Sequence, residues 1–394
     1  MSRSDSRRYV VGAATGLLAD QLYFVALGWT AAEMHGGSGA SIVLAVGATA
    51  RLLVLLLGGV VADRVGPQRL AVGSDLGRAA LMAVAGVMIV VGPPSLSVLV
   101  VLSFVFGIVD AMFVPAVGAL PGQFSSGSRA TTLQSARLAA QRFSLILGAP
   151  LAGLLLGASG FALVLGVNAA LFLTSALLLS RIQLRAGSST ATEDTLWADV
   201  VSGFVYVCRD PLLRGVVMLT AVTELCLAGA FNVGLPLLSL ERGWGPEGVG
   251  LLLGAFGTGA ALASVFVATR PVRSAGLVAC AAIAAIGPGL WVAAVAERLV
   301  VALAALALTG VVAGLCAPLL VGLATSTAAP AMQGKVMSFL ALAGYGGVPI
   351  SYALTGWLVD ERGIEFPFVI AGSAALIVGV AASAVGPVRR ATST

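Results

Sequence analysis

Eight ionisable side chains fall inside long apolar runs of this chain: Asp20, Arg51, Asp75, Arg78, Asp110, Arg137, Arg142 and Glu224. An ionisable group at bilayer depth costs roughly 2.5–3.5 kcal/mol even on a lenient insertion scale, so each one needs a role. In such a setting carboxylates and guanidiniums form ion pairs, or they hold and release protons. Asp20 lies twelve residues from Arg8, and Arg51 lies twelve from Asp63. Both are then about 18 Å from the same edge of the spans. Opposite charges at equal depth on neighbouring helices predict an Asp20–Arg51 ion pair. Asp75 and Arg78, three residues apart, share one helix face. With Asp110 and Arg137 at similar depth, and Arg142 one turn further on, they form an intramembrane charge cluster. The cluster reads as structural or gating, with substrate binding as the alternative.

Glu224 stands apart. Seven of the eight charges belong to the first half of the chain, and apart from Arg214 at its start no basic residue lies in the apolar run around Glu224. A carboxylate without a partner, poorly hydrated, can take up a proton near neutral pH. Glu224 is therefore the expected carrier of a coupling proton, with Asp20 and Arg51 as a pair that proton or substrate can break. The plainer alternative is a glutamate hydrogen-bonded into helix packing.

Other chemistries lack their residues. The single histidine, His35, falls in the first external loop, which leaves no intramembrane Ser–His or Cys–His pair, no bis-histidine haem site and no His-based metal site. Cys208, Cys226, Cys280 and Cys316 are scattered without a Cys-x-x-Cys and read as small apolar fillers. No Gly-x-x-x-x-Gly-Lys-Ser/Thr loop is present, so ATP does not act through this chain. No enzyme, cofactor or metal is expected.

The elements that must position these charges are membrane spans. Charged residues make up 10% of the 394 and hydrophobic ones 59%, against about 25% charged in a soluble domain. Apolar runs near 9–31, 41–62, 70–91, 96–118, 131–157, 161–181, 213–239, 247–268, 275–295, 299–325, 334–358 and 366–387 each meet the need for about 20 residues. The N-terminal stretch runs into a full-length span without a small-residue cleavage site, so the first span is expected to be retained. Arg64, Arg69, Arg129, Arg181, Arg185, Arg209, Arg214, Arg270, Arg273 and Lys335 fall on one side, with only Arg242, Arg298 and Arg362 on the other. The positive-inside rule then places both termini in the cytoplasm. The net charge of +5 reflects this topology and needs no nucleic acid. One lysine among 22 basic residues, with abundant Ala and Gly, points to a GC-rich bacterial source and so to a bacterial inner membrane.

The chain repeats itself. Gly107, Pro115 and Gly118 in the fourth span match Gly310, Pro318 and Gly322 in the tenth, and Gly148-Ala-Pro150 in the fifth matches Gly347-Val-Pro349 in the eleventh. Both pairs are separated by about half the chain, as are Asp20 and Glu224. Duplicated six-span halves are the plan of rocking transporters, with the solute site at the repeat interface. The expected organisation is an all-α polytopic protein of twelve transmembrane helices in two pseudo-symmetric bundles, 1–184 and 213–394. A cytoplasmic linker at 185–212 joins them. Its part from Trp197 onward reads either as an amphipathic helix on the membrane face or as the start of the seventh span.

Between the second and third spans runs Gly59-Val-Val-Ala-Asp63-Arg64-Val-Gly66-Pro-Gln68-Arg69. This turn resembles the loop 2–3 signature of the major facilitator superfamily, with Gln68 where a basic residue is usual. Asp20, Ser74-Asp75-Leu-Gly-Arg78, Gly148-Ala-Pro150-Leu-Ala-Gly153 and Gly203-Phe-Val-Tyr-Val-Cys-Arg-Asp-Pro211 are similar to the enterobactin-exporter and macrolide-efflux branch. The resemblance implies the major facilitator fold and efflux of a small organic molecule by alternating access. It also implies that Asp63, with Gly59, Arg64, Gly66 and Arg69 around it, latches the halves together against the start of span eleven. Gly148, Pro150, Gly153 and Pro349 would bend or pack the helices. Many proton-coupled exporters carry an arginine four residues before the Gly of span four. Here that residue is Ser103, so that proton route does not carry over.

The expected activity is thus secondary active export, by proton antiport, of a drug-, macrolide- or siderophore-like compound. The expected partners are that solute, protons and the bilayer, and the protein is expected to be a monomer. Phe231, Phe256, Trp291 and Tyr345 are candidate apolar contacts, and Gln21, Tyr23, Gln141 and Asn232 candidate hydrogen-bonding ones. An importer or uniporter, or a lipid-translocating or non-transporting membrane protein, are the alternatives.

Overall fold

In hydrocarbon every backbone N–H and C=O must be satisfied within its own segment, which leaves helices for apolar runs of this length. The computed structural model describes residues 3–92, 94–124, 128–183, 196–269, 272, 274–384, 389 and 391. It leaves out the side chains at 3, 56–64, 124, 128–131, 196–201, 268 and 331. Every regular element among the described residues is helical: α1 (Arg3–Val65), α2 (Pro67–Val91), α3 (Leu96–Phe124), α4 (Ser128–Ser180), α5 (Leu196–Arg209), α6 (Pro211–Gly229), α7 (Leu235–Glu241), α8 (Gly245–Thr269), α9 (Ala275–Val295), α10 (Leu299–Thr327), α11 (Gln333–Gly346), α12 (Val348–Arg362) and α13 (Glu365–Ala384). Among the described residues, ten helical stretches are long and apolar enough to cross a membrane. Two of these, Ser4–Leu55 and Thr132–Ser180, run to 52 and 49 residues. Each is broken once, at Gly36 (φ 64°) in α1 and at Ser159–Gly160 (Gly160 φ 71°) in α4. Taken as two crossings apiece, they make the set consistent with twelve.

Helix starts follow local chemistry. Gly66 adopts φ 91° and turns the chain into Pro67, whose missing N–H costs nothing in a first turn. Asp210 caps α6, its carboxylate accepting from the N–H groups of Leu212 (2.8 Å) and Leu213 (3.0 Å) ahead of Pro211. Gln68 turns out to cap a neighbour. Its amide donates to the carbonyls of Leu179 (2.8 Å) and Ile182 (2.8 Å) at the C-terminal end of α4, where Arg8 also donates to the Arg181 carbonyl (3.0 Å). An amide thus serves the helix end that a cation otherwise suits.

Contacts divide the chain into two compact units, Met1–Ala191 with Gly243–Gly254, and Thr192–Arg242 with Ala255–Thr394. In the first, α1 packs on α3 and α4, and α2 packs on α4. A core of Tyr9, Leu70, Phe113, Leu120, Leu133 and Leu179 closes one end, with the Tyr9 hydroxyl donating to the Val117 carbonyl (3.1 Å). The opening of α8 belongs here too: Gly250 lies against the Ala149 backbone and Gly254 against the Pro150 ring. In the second unit, α13 and α10 both pack on α9, and α6 meets α10, α11, α12 and α13. The helix α5 rests on α11 through Phe204–Phe339 (6.1 Å between ring centres) and Lys335 Nζ–Ser202 Oγ (2.7 Å).

The repeat read in the sequence has a packing cause. A Cβ added at Gly107 would stand 3.1 Å from the Gly47 carbonyl carbon and 3.2 Å from the Arg51 nitrogen. One added at Gly310 would stand 2.8 Å from the Phe256 carbonyl carbon. In each unit, then, the fourth span of the repeat touches the second span backbone to backbone. Ser103 is buried against Gly47 in the same crossing, which leaves no space for an arginine there. Pro115, Pro150 and Pro318 have helical backbone on both sides, whereas Pro349 opens α12 just after a break at Gly347. Gly107→Ala and Gly310→Ala should each destabilise the protein by about 1–3 kcal/mol. Thermal unfolding in detergent would show this, and unchanged melting in either would mean the helices are not in backbone contact.

Candidate functional site

Arg78 is fully buried and carries three carboxylates. Its Nη1 meets Asp20 Oδ1 at 2.6 Å and Asp110 Oδ1 at 2.9 Å, and its Nη2 meets Asp75 Oδ1 at 2.5 Å. Its guanidinium also lies over the rings of Phe113 (4.1 Å) and Phe172 (4.4 Å), a contact that a desolvated cation makes most favourable. Arg51 Nε reaches the other oxygen of Asp110 at 3.2 Å and lies 5.8 Å from the Phe24 ring. The cluster therefore joins both halves of α1 to α2 and α3. A bare guanidinium in this place would be untenable; three ionic partners and two aromatic faces offset its desolvation.

This differs from the pairing that depth predicts. Asp20 bonds to Arg78, and the partner of Arg51 is Asp110. The reason is the Gly47–Gly107 crossing: Arg51 lies one turn beyond Gly47 and Asp110 one turn beyond Gly107, so close backbones carry the two side chains together. Asp75 and Arg78 share a face as the helical period requires. Arg137 is not part of the cluster; its Nε donates to Gln134 Oε1 at 3.4 Å on its own helix. Arg142 is exposed on α4. The side chains of Gly59, Asp63 and Arg64 lie outside the described residues, while Gly66 forms the turn into α2 and Arg69 is exposed.

The packing motif of the fifth span acts through contact. Gly148 faces the Gln21 and Leu18 side chains of α1, and Gly153 faces the backbone of Pro246 and Glu247. Of the candidate solute contacts, Trp291 is engaged elsewhere, its indole donating to the Val369 carbonyl (3.2 Å). Tyr23 is buried and stacked on Phe106 at 3.7 Å. Phe231 and Phe256 form an edge-to-face pair at 4.5 Å, and Tyr345 is exposed.

Glu224 sits near the middle of the Pro211–Glu241 stretch, exposed and in no ion pair among the described residues. Across from it lies Gly344 of α11, whose added Cβ would stand 3.9 Å from Glu224 Cγ. Its surroundings are less apolar than composition suggests. The chain departs from α-helix into a π-turn at Ala230–Gly234, and Ser351 and Thr355 of α12 press on Gly229. Neither Ser351 nor the π-turn is visible in a hydropathy pattern; a polar residue just after Gly-x-Pro in an apolar span was the available signal. Asn168, fully buried in α4 with neither amide atom bonded, was also missed.

The Major Facilitator Superfamily model matches residues 9–352 and 229–394. The chain belongs to the major facilitator superfamily. This transporter has a similar fold to a crystal structure of the nucleoside transporter NupG in mutant form, with a TM-score of 0.75 over 96% of this chain and 99% of that one. At 10% sequence identity the likeness is one of fold. No curated protein sequence matches the chain.

Removing the hub of the charge cluster should be costly. Arg78→Leu leaves three buried carboxylates facing one another, and losing one partner of a buried pair already costs about 3–5 kcal/mol. Arg78→Lys should also fail to restore stability, because a single ammonium cannot fork between Asp20, Asp75 and Asp110. Detergent-solubilised melting curves test this; a wild-type Tm for Arg78→Lys would mean that the fork geometry is dispensable.

Proposed function

We propose that this transporter exports a small amphipathic or hydrophobic organic compound by alternating access, as a proton antiporter with Glu224 as the proton carrier. Its setting would be a bacterial inner membrane, with both termini in the cytoplasm. The observation that carries the reading is the contrast between the two mid-span acidic sites. Asp20 is locked onto Arg78, whereas Glu224 is accessible, has no ionic partner among the described residues and lies mid-span beside a helix irregularity. A carboxylate of that kind can gain and lose a proton without dismantling an ion-pair network. The nearby Phe231–Phe256 pair and the exposed Tyr345 support an apolar or amphipathic cargo over a sugar or a highly charged metabolite. The resemblance to the macrolide- and enterobactin-export branch supports the outward direction. Import or uniport is the rival reading, and the fold neighbour is a nucleoside transporter.

Proteoliposomes containing a pH-sensitive dye distinguish the readings. Under an imposed proton gradient, lipophilic cations, macrolides and siderophore-like compounds should each be tried as substrate. The expected outcome is substrate-dependent proton release that disappears in Glu224→Gln. Substrate movement without proton movement would leave a uniporter or another coupling ion, and proton release that persists in the mutant would move the carrier elsewhere.

A further inference from the structure

In a regular α-helix the N–H of Gly229 would bond to the carbonyl of Leu225. In this protein a hydroxyl stands between them. The Gly229 N–H donates to Ser351 Oγ at 2.7 Å, and Ser351 Oγ donates to the Leu225 carbonyl at 2.6 Å. Ser351 is itself buried. A side chain from α12 has thus been inserted into the hydrogen-bond ladder of α6, one of the recognised causes of a helix bend. The irregularity continues directly into the π-turn at Ala230–Gly234, where Asn232 Nδ2 donates back to the Ala228 carbonyl at 3.0 Å.

The inserting helix is broken at the same level. Gly347 ends α11 and starts α12, with Pro349 in the first turn of the new helix. The two interrupted helices meet along small residues. Gly344 faces Glu224, Gly347 faces Leu225, and Ser351 and Thr355 face Gly229. A Cβ on Gly229 would stand 2.5 Å from the Ser351 carbonyl oxygen and 2.6 Å from its hydroxyl, so this contact requires glycine. The carbonyl held by Ser351 belongs to the residue adjoining Glu224 in the chain.

We propose that Ser351 is a positioning residue for Glu224, and that its hydroxyl is the wedge about which α6 and the outer segment α7 turn as separate bodies. The wedge keeps the Leu225 carbonyl out of the ladder. The Leu225 carbonyl belongs to the Leu225–Cys226 peptide, one residue on from Glu224, and when that carbonyl tilts the Ser351 hydroxyl can follow it. The direction of the Glu224 carboxylate and the bend of the span become one movement. The coupling role rests on Glu224 as carrier, whereas the wedge itself stands on hydrogen-bond geometry alone.

The test uses the full chain in lipid nanodiscs and proteoliposomes. Ser351→Ala removes the hydroxyl at little volume cost and lets Gly229 N–H close onto Leu225 C=O. Hydrogen–deuterium exchange at the Gly229 amide should slow about fivefold, the factor to which a difference of about 1 kcal/mol corresponds. Turnover of an exported probe such as ethidium should fall by a similar factor at unchanged KM, the pattern of a lost conformational step rather than lost binding. Thr355→Ala, which removes a neighbouring hydroxyl without touching the ladder, is the control and should change neither reading. Wild-type exchange at Gly229 in Ser351→Ala overturns the wedge, and slowed exchange with wild-type turnover overturns its role in transport. If ethidium is not moved by the wild type, the export reading loses support, while the exchange measurement still decides the wedge.

Discussion

Lipid gives helices no hydrophobic reason to associate, so everything here depends on how closely their backbones can approach. Glycine decides that distance. Where Gly47 meets Gly107 and where Phe256 meets Gly310, a single added methyl would strike a main-chain carbonyl of the partner helix. Such crossings fix azimuth as well as distance, and azimuth determines which side chains meet one turn away. The Arg51–Asp110 ion pair follows from the first crossing, and through Asp110 so does the attachment of Arg51 to the Arg78 hub. A charge cluster that looks like electrostatics is placed by the smallest side chain available.

This explains which parts were legible in the sequence. Span positions were legible, since length and hydropathy are one-dimensional: the ninth span, expected at 275–295, is Ala275–Val295. Pairing within one helix was legible too, because Asp75 and Arg78 are joined by the helical period. Pairing between helices was not. Equal depth brought Asp20 and Arg51 together on paper, but depth says nothing about which face each residue occupies. In the sequence Gly107 and Gly310 mark a repeat and permit close approach, but they do not say which backbone each one touches. Gln68 was a departure from a basic pattern, and only the carbonyl ends of α4 explain why an amide suffices there.

The two units share a plan and differ in how they handle charge. In the first, every buried acid of the cluster is bonded to a guanidinium, and Pro150 lies in helical backbone ahead of the break at Ser159–Gly160. In the second, the corresponding proline follows a break, the seventh span departs from α-helical geometry, and its one mid-span acid stands alone among the described residues. Irregular backbone at membrane depth is tolerated only where protein or a cavity satisfies it. Ser351 and Asn232 provide that satisfaction, one for the Leu225 carbonyl and the Gly229 N–H, the other for the Ala228 carbonyl.

The contrast bears on why, in the proposed antiport, coupling would fall to the second unit. Protonating Asp20 would weaken one of three ionic contacts on Arg78 and disturb the other two, since they share two guanidinium nitrogens. Such a change is spread over four spans and resisted by all of them. Protonating Glu224 disturbs no ion pair among the described residues, and the carbonyl of the next residue, Leu225, accepts from a side-chain hydroxyl that can follow it. A small local event then has a soft element next to it and a rigid unit far less able to respond. Stability and responsiveness are divided between two copies of one repeat, and the division is made by side chains and backbone breaks that hydropathy alone does not register.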